Sequence, residues 1–266
     1  MSKTILITGS TDGIGKLTAI KLAKEGHKIY VHGRNEVKLA KAVQEVKEES
    51  NNDEIYSFIA DFSDLSAVQK MARQVKDQVR ALDILINNAG VYNSPQLQNK
   101  DGIDMRMVVN YLAPYVLTNA LLPTLKKGTD IRVINLSSAA QMSVSEEVLK
   151  GVQTATEQQT YAQSKLALLM WSFYLAEKEP DIQVIAVNPG SLLNTKMVKE
   201  AFGHHYSSVD KGANILYDLA VSYAYKGITE QYFDNDRGAF GNAHQDAYDQ
   251  HKIERLISVT NEILNH

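Results

Sequence analysis

Short runs rich in β-branched and aliphatic residues alternate along this chain with longer segments whose apolar positions recur at helical spacing. The pattern predicts strands near residues 3–8, 27–33, 54–60, 82–88, 130–137, 181–187 and 230–234. It predicts helices near 13–25, 36–49, 64–80, 102–126, 158–178 and 209–225. Ile5-Leu6-Ile7 and Leu82 to Ile86 are nearly continuous apolar runs, as expected of strands covered on both faces. Gln69, Lys70, Arg73, Lys76, Asp77 and Arg80 mark the solvated side of the third helix. Within 252–264, Ile253, Leu256, Ile257, Thr260 and Leu264 fall at helical spacing and predict a tail helix docked on the body. No repeat, low-complexity tract or linker interrupts the alternation, so residues 1–266 read as one α/β domain, doubly wound, with a parallel sheet of about seven strands.

Composition narrows the classes without naming a chemistry. At 266 residues and 44% hydrophobic, the chain can bury a full core. Its formal charge is −3 with the two signs interleaved, and the lack of a basic stripe argues against nucleic acid as a partner. There is no cysteine, which excludes disulfides, thiolate nucleophiles and cysteine-bearing zinc sites. The run Lys3 to Thr8 is too short for a secretory signal. The longest apolar run, Leu166 to Ala176, falls well short of the roughly 20 residues that span a bilayer. A cytoplasmic protein without an integral membrane segment is the expectation.

Candidate chemistry begins just after the first strand. Gly9, Gly13 and Gly15 lie in Thr8-Gly-Ser-Thr-Asp-Gly-Ile-Gly15 and lead into an amphipathic segment carrying Leu17, Ile20 and Leu22. Glycines there permit a tight turn and let backbone N–H groups approach a pyrophosphate at a helix N-terminus. The spacing is G-x-x-x-G-x-G rather than G-x-G-x-x-G, so a plain glycine-rich turn is the competing reading. The second strand ends at His32-Gly33-Arg34-Asn35. An acid at that strand end would bond an adenosine ribose, whereas arginine accommodates a 2′-phosphate. Arg34 therefore favours NADP, with NAD as the alternative because Asp12 and Glu36 stand nearby. Asp61 and Phe62 follow the third strand within reach of an adenine edge, although Asp61 competes with Asp64 for a helix-capping role. Asn87, Asn88, Ala89 and Gly90 end the fourth strand, where they suit either close approach to a flat ligand or a structural turn pinning neighbouring strands.

The spacing Y-x-x-x-K occurs three times, at Tyr161/Lys165, Tyr174/Lys178 and Tyr248/Lys252. Only the first opens a helix after a strand whose end carries Ser137-Ser138. Tyr174 lies 13 residues beyond Tyr161, roughly 220° around that helix, and so faces elsewhere. Residues i and i+4 share a helix face, so Lys165 can sit near the Tyr161 phenol and lower its pKa; an ordinary packed and snorkelling helical pair is the competing reading, and from the pair alone the better one. A tyrosine so tuned would exchange a proton with a carbonyl or alcohol oxygen while a nicotinamide carries the hydride. Ser138 is the candidate hydroxyl partner, and Ser137 is expected to point the other way. Asn110, set in a helical stretch that does not favour it, would hold a water near Lys165 or disturb the helix. Pro189 and Gly190, after Asn188, turn the chain past a planar ring, and Thr195 could bond the nicotinamide amide. Residues 191–210 read as a polar loop able to close over substrate. His204, His205, His244 and His251 lack metal-ligand spacing, and no metal is expected.

TGSTDGIG at 8–15, NNAG at 87–90, Asn110, Ser138, YAQSK at 161–165 and NPG at 188–190 resemble, in the same order, the motifs of the short-chain dehydrogenase/reductase family. The resemblance covers essentially the whole chain. Gly33-Arg34-Asn35, the long segment between Ser138 and Tyr161, and Tyr232-Phe233-Asp234 with its tail are most similar to the retinol-dehydrogenase-like branch. It implies a single Rossmann-type, NAD(P)-binding catalytic domain, with NADP preferred and a carbonyl/alcohol substrate. It implies a tetrad of Asn110, Ser138, Tyr161 and Lys165, with Lys165 also bonding the nicotinamide ribose. Implied cofactor contacts come from Gly9, Thr11, Ile14, Arg34, Asp61, Phe62, Asn88 and Thr195. Asp12 departs from the basic residue frequent in NADP-using members, and the polar segment 139–160 counts against retinoids. Helices 102–126 and 158–178 pair subunits in many relatives, which leaves a homodimer or homotetramer open. The rival readings are a binding-only nucleotide sensor or scaffold on this fold, and a redox-neutral epimerase or dehydratase.

Overall fold

The computed structural model describes residues 2–203 and 206–265. The chain runs β1 (Thr4–Ile7), α1 (Gly13–Lys24), β2 (Lys28–Gly33), α2 (Glu36–Ser50), β3 (Ile55–Ile59), α3 (Leu65–Gln78), β4 (Ile84–Asn87), α4 (Met105–Met107) and α5 (Ala113–Leu125). It continues through β5 (Arg132–Leu136), α6 (Glu146–Leu149), α7 (Glu157–Lys178), β6 (Gln183–Asn188), α8 (Lys196–Phe202), α9 (Val209–Val221), β7 (Gln231–Asp234), β8 (Ala239–Gly241) and α10 (Gln250–Leu264). The strands form one sheet in the order β3-β2-β1-β4-β5-β6-β7-β8. All pairings are parallel except the last, between β7 and β8. The order reverses between β1 and β4, and a doubly wound sheet opens a crevice at the carboxyl ends of such strands.

Alternate side chains of each strand feed two separate cores. Ile5, Ile7, Ile29, Val31, Ile84, Ile86 and Ile185 pack under α1, α2 and α9. Leu6, Tyr30, Leu85, Val133 and Val184 pack under α3, α5 and α7. The helix starts follow from short polar side chains that take up orphan amides: Asp12, Asn35 and Asp64 accept from Gly13, Lys38 and Ser66. Thr156 and Gln159 form a reciprocal capping box at the start of α7.

Three elements differ from the sequence reading. β8 is an eighth strand, too short and too exposed to leave a periodic signal. Within the expected loop 191–210, Thr195 caps α8 by accepting from Val198 N, so part of that stretch is helical. The expected helix 102–126 is broken by a π turn over Val108–Leu112. Pro114 explains the break. It lacks the N–H that would bond the Asn110 carbonyl four residues back, and its ring crowds that carbonyl. The helix widens instead, and Ala113 N bonds Val108 O five residues back.

α10 docks as its periodicity predicts, burying Ile253, Leu256, Ile257 and Val259. It packs on α7, where every residue from Ala162 to Phe173 is buried, and bonds Tyr111 and Tyr115 near the start of α5. Among the described residues, no helix is long and apolar enough to cross a membrane.

A buried hydrogen bond fastens the tail. Thr260 Oγ1 donates to Leu256 O at 2.8 Å, so the Tyr111 hydroxyl, 2.7 Å away, donates to Thr260 Oγ1. Replacing Thr260 by Val strands that phenol in an apolar site and is expected to cost about 1–3 kcal/mol in urea unfolding. Adding Tyr111→Phe should recover most of the loss, because no unpaired polar group then remains. Strict additivity of the two changes would contradict this account.

Candidate active site

The glycine turn is built by close contacts that only a missing side chain permits. Gly9 has φ +62°, and a Cβ there would lie 2.7 Å from Ala89 Cα. A Cβ on Gly15 would meet Asn88 Nδ2 at 2.5 Å. Asn88 Nδ2 donates to the carbonyls of Thr8 and Gly9 at 2.8 and 2.9 Å, so its amide braces the turn. Asn87 Nδ2 donates to Thr118 Oγ1 and Asn135 Oδ1, tying β4 to α5 and β5. Of the two roles open for these amides, both side chains take the pinning one.

Asp12 is exposed and spends its carboxylate on Gly13 N. The amides of Ile14 and Gly15 have no acceptor among the described residues and lie in the first turn of α1. Free amides at a positive helix end, set against a turn without side chains, fit a phosphate group. Thr11 and Ile14 are partly exposed around this turn. The Arg34 guanidinium, at the end of β2, is exposed and has no hydrogen bond or ion pair among the described residues. Asp61 accepts from Ser63 N, while Asp64 is the cap of α3. Phe62 is buried and stacks on His32, with ring centroids 4.3 Å apart.

His32 was not singled out by sequence, yet it wires this end together. Its Nδ1 accepts from Gly9 N at 3.0 Å, which places the ring hydrogen on Nε2, 3.1 Å from Ala60 O. Burial drives its pKa down to about 4, so it stays neutral at physiological pH. Thr8 escaped notice too; its hydroxyl accepts from the amides of Asn88 and Ala89. Asp236 is a third such residue, accepting from Asn188 Nδ2 and from Ser191 N and Oγ, and so fixing the turn through Pro189 and Gly190. A polar residue at or just beyond a strand end is too common for its sequence position to reveal such a role.

The second cluster grows from β5 and α7. Lys165 is buried, its Nζ donates to Leu136 O at 2.7 Å and lies 5.7 Å from the Tyr161 ring centroid. Ser137 Oγ donates to Lys165 O, so it turns away from Ser138, as strand geometry predicts. Asn110 Oδ1 accepts from Val91 N at 2.7 Å, and its Nδ2 donates to Val91 O and Ser164 Oγ. Both amide hydrogens are thus used, and the side chain has none left for a water. A Cβ on Gly90 would lie 3.2 Å from Asn110 Oδ1 and 3.4 Å from Lys165 Nζ. The NNAG loop and the Tyr-Lys helix therefore meet at one point.

The electrostatics correct one expectation. Tyr161 is partly exposed, and desolvation raises its pKa, with the hydrogen bond to Ser138 opposing. Lys165, whose ammonium donates to the Leu136 carbonyl and lies 5.7 Å from the ring centroid, does not offset that rise. Burial instead lowers Lys165 itself to about 8.

The other two Tyr-Lys pairs stand elsewhere. Lys178 lies over Tyr174 but pairs with Glu177, and Lys252 pairs with Asp246 at 2.6 Å. Thr195 caps α8, and its Cγ2 would lie 3.8 Å from a Cβ on Gly13. His204 and His205 lie outside the described residues. Among those described, no group of three or more His, Asp or Glu is placed to hold a metal.

Known proteins share this layout. Residues 3–205 match the sequence profile of the short chain dehydrogenases. The chain is 31% identical to human polyprenol dehydrogenase, over 88% of this chain and 77% of that protein. It is 30% identical to mouse retinol dehydrogenase 12, over 98% of this chain and 86% of that protein. A short chain dehydrogenase from Escherichia coli CFT073, solved in complex with NADPH, superposes with a TM-score of 0.73 at 27% identity, covering 88% of this chain and 96% of that one. With its motifs in order on a doubly wound sheet, this chain belongs to the short-chain dehydrogenase/reductase family of oxidoreductases, on its retinol-dehydrogenase-like branch.

Proposed function

We propose that residues 1–266 form one catalytic domain that reduces a carbonyl or oxidises the matching alcohol, with NADP preferred over NAD. One juxtaposition carries the reading. Gly90, from the loop beside the glycine cradle, leaves no room for a side chain before Asn110 Oδ1 and Lys165 Nζ, which brings the glycine-rich end and the Tyr-Lys helix together. The NADPH complex of the Escherichia coli relative supports the cofactor class. The polyprenol and retinol dehydrogenases support an alcohol/carbonyl pair as the reacting group.

Gly9, Gly13, Gly15 and the amides of Ile14 and Gly15 would hold the pyrophosphate, with Thr11 and Asp12 at its edge. Arg34 would take a 2′-phosphate through two parallel bonds. Asp61, Phe62, Asn88 and Ala89 would bound the adenosine side, and Pro189, Gly190 and Thr195 the nicotinamide. When bound, the cofactor supplies or accepts the hydride, which no side chain here can do.

The protein's share is the proton. Burial keeps the Tyr161 phenol protonated at neutral pH, the form that a carbonyl needs from a general acid. As the carbonyl carbon gains hydride, its oxygen takes the Tyr161 proton and Ser138 donates a hydrogen bond to the same oxygen. The Lys165 ammonium then faces a phenolate, so its charge matters most in the transition state. Asn110 keeps Lys165 and the loop in register. Alcohol oxidation is the reverse and needs the phenolate first.

Following nicotinamide absorbance with a panel of aldehydes and ketones tests the class, because a binding-only protein or a redox-neutral isomerase gives no net signal. Tyr161→Phe should lower kcat roughly 100- to 10,000-fold while NADPH fluorescence titrations stay unchanged. Full turnover in that variant removes the mechanism. Arg34→Ala should reduce the NADPH-over-NADH preference in kcat/KM by roughly 10- to 100-fold, the worth of a charge-assisted contact. An unaltered ratio rejects that role.

The pH dependence has a defined sign. Raising pH takes the Lys165 proton at about 8, below its ordinary value, while Tyr161 holds its own to higher pH. Reduction should therefore be level near neutrality and fall through about pH 8 as the ammonium that would face the developing phenolate loses its charge. A reductive profile that stays flat to about pH 9.5 contradicts this assignment.

A further inference from the structure

We infer that Arg106 is a positioning residue of the active site that holds Tyr92 against Tyr161; this rests on Tyr161 being the acid/base group. Arg106 lies on α4, and its side chain is only 1% exposed. A guanidinium so deeply buried is costly unless every arm is occupied. Its arms reach two other segments and the cap of its own helix. Nε donates to the Tyr92 carbonyl at 2.7 Å. Nη1 donates to Asp104 Oδ2 at 3.2 Å, and Nη2 forms an ion pair with Glu157 Oε1 at 2.6 Å in the first turn of α7, without the alignment of a hydrogen bond.

Asn110, about one turn further on, makes the same kind of bridge. It bonds both N and O of Val91 and reaches Ser164 on α7. Two rungs thus run side by side from one helical segment. Each grips the loop after β4 on one side and α7 on the other. The Asn110 rung fixes the loop beside Lys165, and the Arg106 rung fixes it beside Tyr161. Tyr92, whose carbonyl Arg106 holds, packs its ring 4.9 Å from that of Tyr161 at 55°. Glu157 stands four residues before Tyr161, so the far end of this rung lies on the phenol's own helix face. Carbonyl, carboxylate and carboxylate in three directions call for a planar fork, which lysine lacks.

The test compares Arg106→Met, Arg106→Lys, Glu157→Gln and Tyr161→Phe. It uses steady-state kinetics with NADPH and the best aldehyde or ketone of the panel, NADPH fluorescence titration and thermal melting. Arg106→Met should lower kcat roughly 10- to 100-fold, the effect of displacing a reacting group by about an ångström. NADPH affinity should stay within about twofold, and Arg106→Lys should recover little of the lost rate. Glu157→Gln removes only the half-exposed partner, so it tests the rung even if the arginine variants fail to fold; it should lower kcat by about 3- to 10-fold with an unchanged melting point. Wild-type kcat in Glu157→Gln together with wild-type kcat or failure to fold in Arg106→Met overturns the inference. Parallel loss of kcat and NADPH affinity in both also overturns it, since that marks a general structural role. If Tyr161→Phe retains activity, the acid/base reading itself falls, whatever the rung variants do.

Discussion

A lysine ammonium with almost no access to water sits at the carboxyl end of β5, held by a single strand-end carbonyl at 2.7 Å. Burying an isolated charge is among the costlier things a fold can do. The protein meets that cost partly by giving Lys165 a pKa of about 8, so its proton is loosely held. The neighbours of Lys165 can be understood as consequences of keeping this group in place. Ser137 fixes the backbone carbonyl of Lys165 itself, Leu136 takes the ammonium, and Gly90 leaves room that a side chain would fill. A large hydrophobic residue at Gly90 would crowd the ammonium and push it toward its neutral form or out of its place.

The π turn belongs to the same arrangement. A regular helix through 105–125 would carry Asn110 on another bearing, and its amide would lose the grip on both backbone groups of Val91. Pro114 forces the widening, four residues after the side chain that benefits from it. The substitution pattern expected of such a device is coupled. Restoring an N–H at 114 would favour regular helix and compete with the very geometry that seats Asn110. The widened turn is held in place by Ser164 and Val91 through Asn110, and by the buried Tyr111.

What the sequence made legible is what local chemistry encodes. Seven strands and the main helices followed from periodicity, and the tail helix from five apolar positions in 252–264. The glycine turn and the Tyr161/Lys165 pair were visible because backbone approach and i, i+4 spacing are themselves local rules. Contacts made across the fold were not. His32 reaches Gly9 and Ala60, and Arg106 reaches Tyr92 and Glu157, through partners distant in sequence. The direction of the Tyr161 shift was misjudged for the same reason. Spacing shows that a lysine is near, but burial, which sets the sign, depends on everything packed around the phenol.

Cofactor choice turns on a balance between two charges at the mouth of the cradle. Asp12 places a carboxylate at the start of α1, where it offsets part of the positive helix end that a pyrophosphate would meet. That penalty falls on any dinucleotide, phosphorylated or not, and so cannot by itself select between them. Arg34 acts only where a 2′-phosphate would stand. Its exposure lowers the worth of each contact through screening, yet it also leaves the guanidinium free of competing carboxylates among the described residues. On the proposed reading, selectivity for the phosphorylated cofactor would rest on one arginine working against a uniformly less attractive cradle. Such a site would bind more weakly overall while still discriminating, and its discrimination would decline with ionic strength.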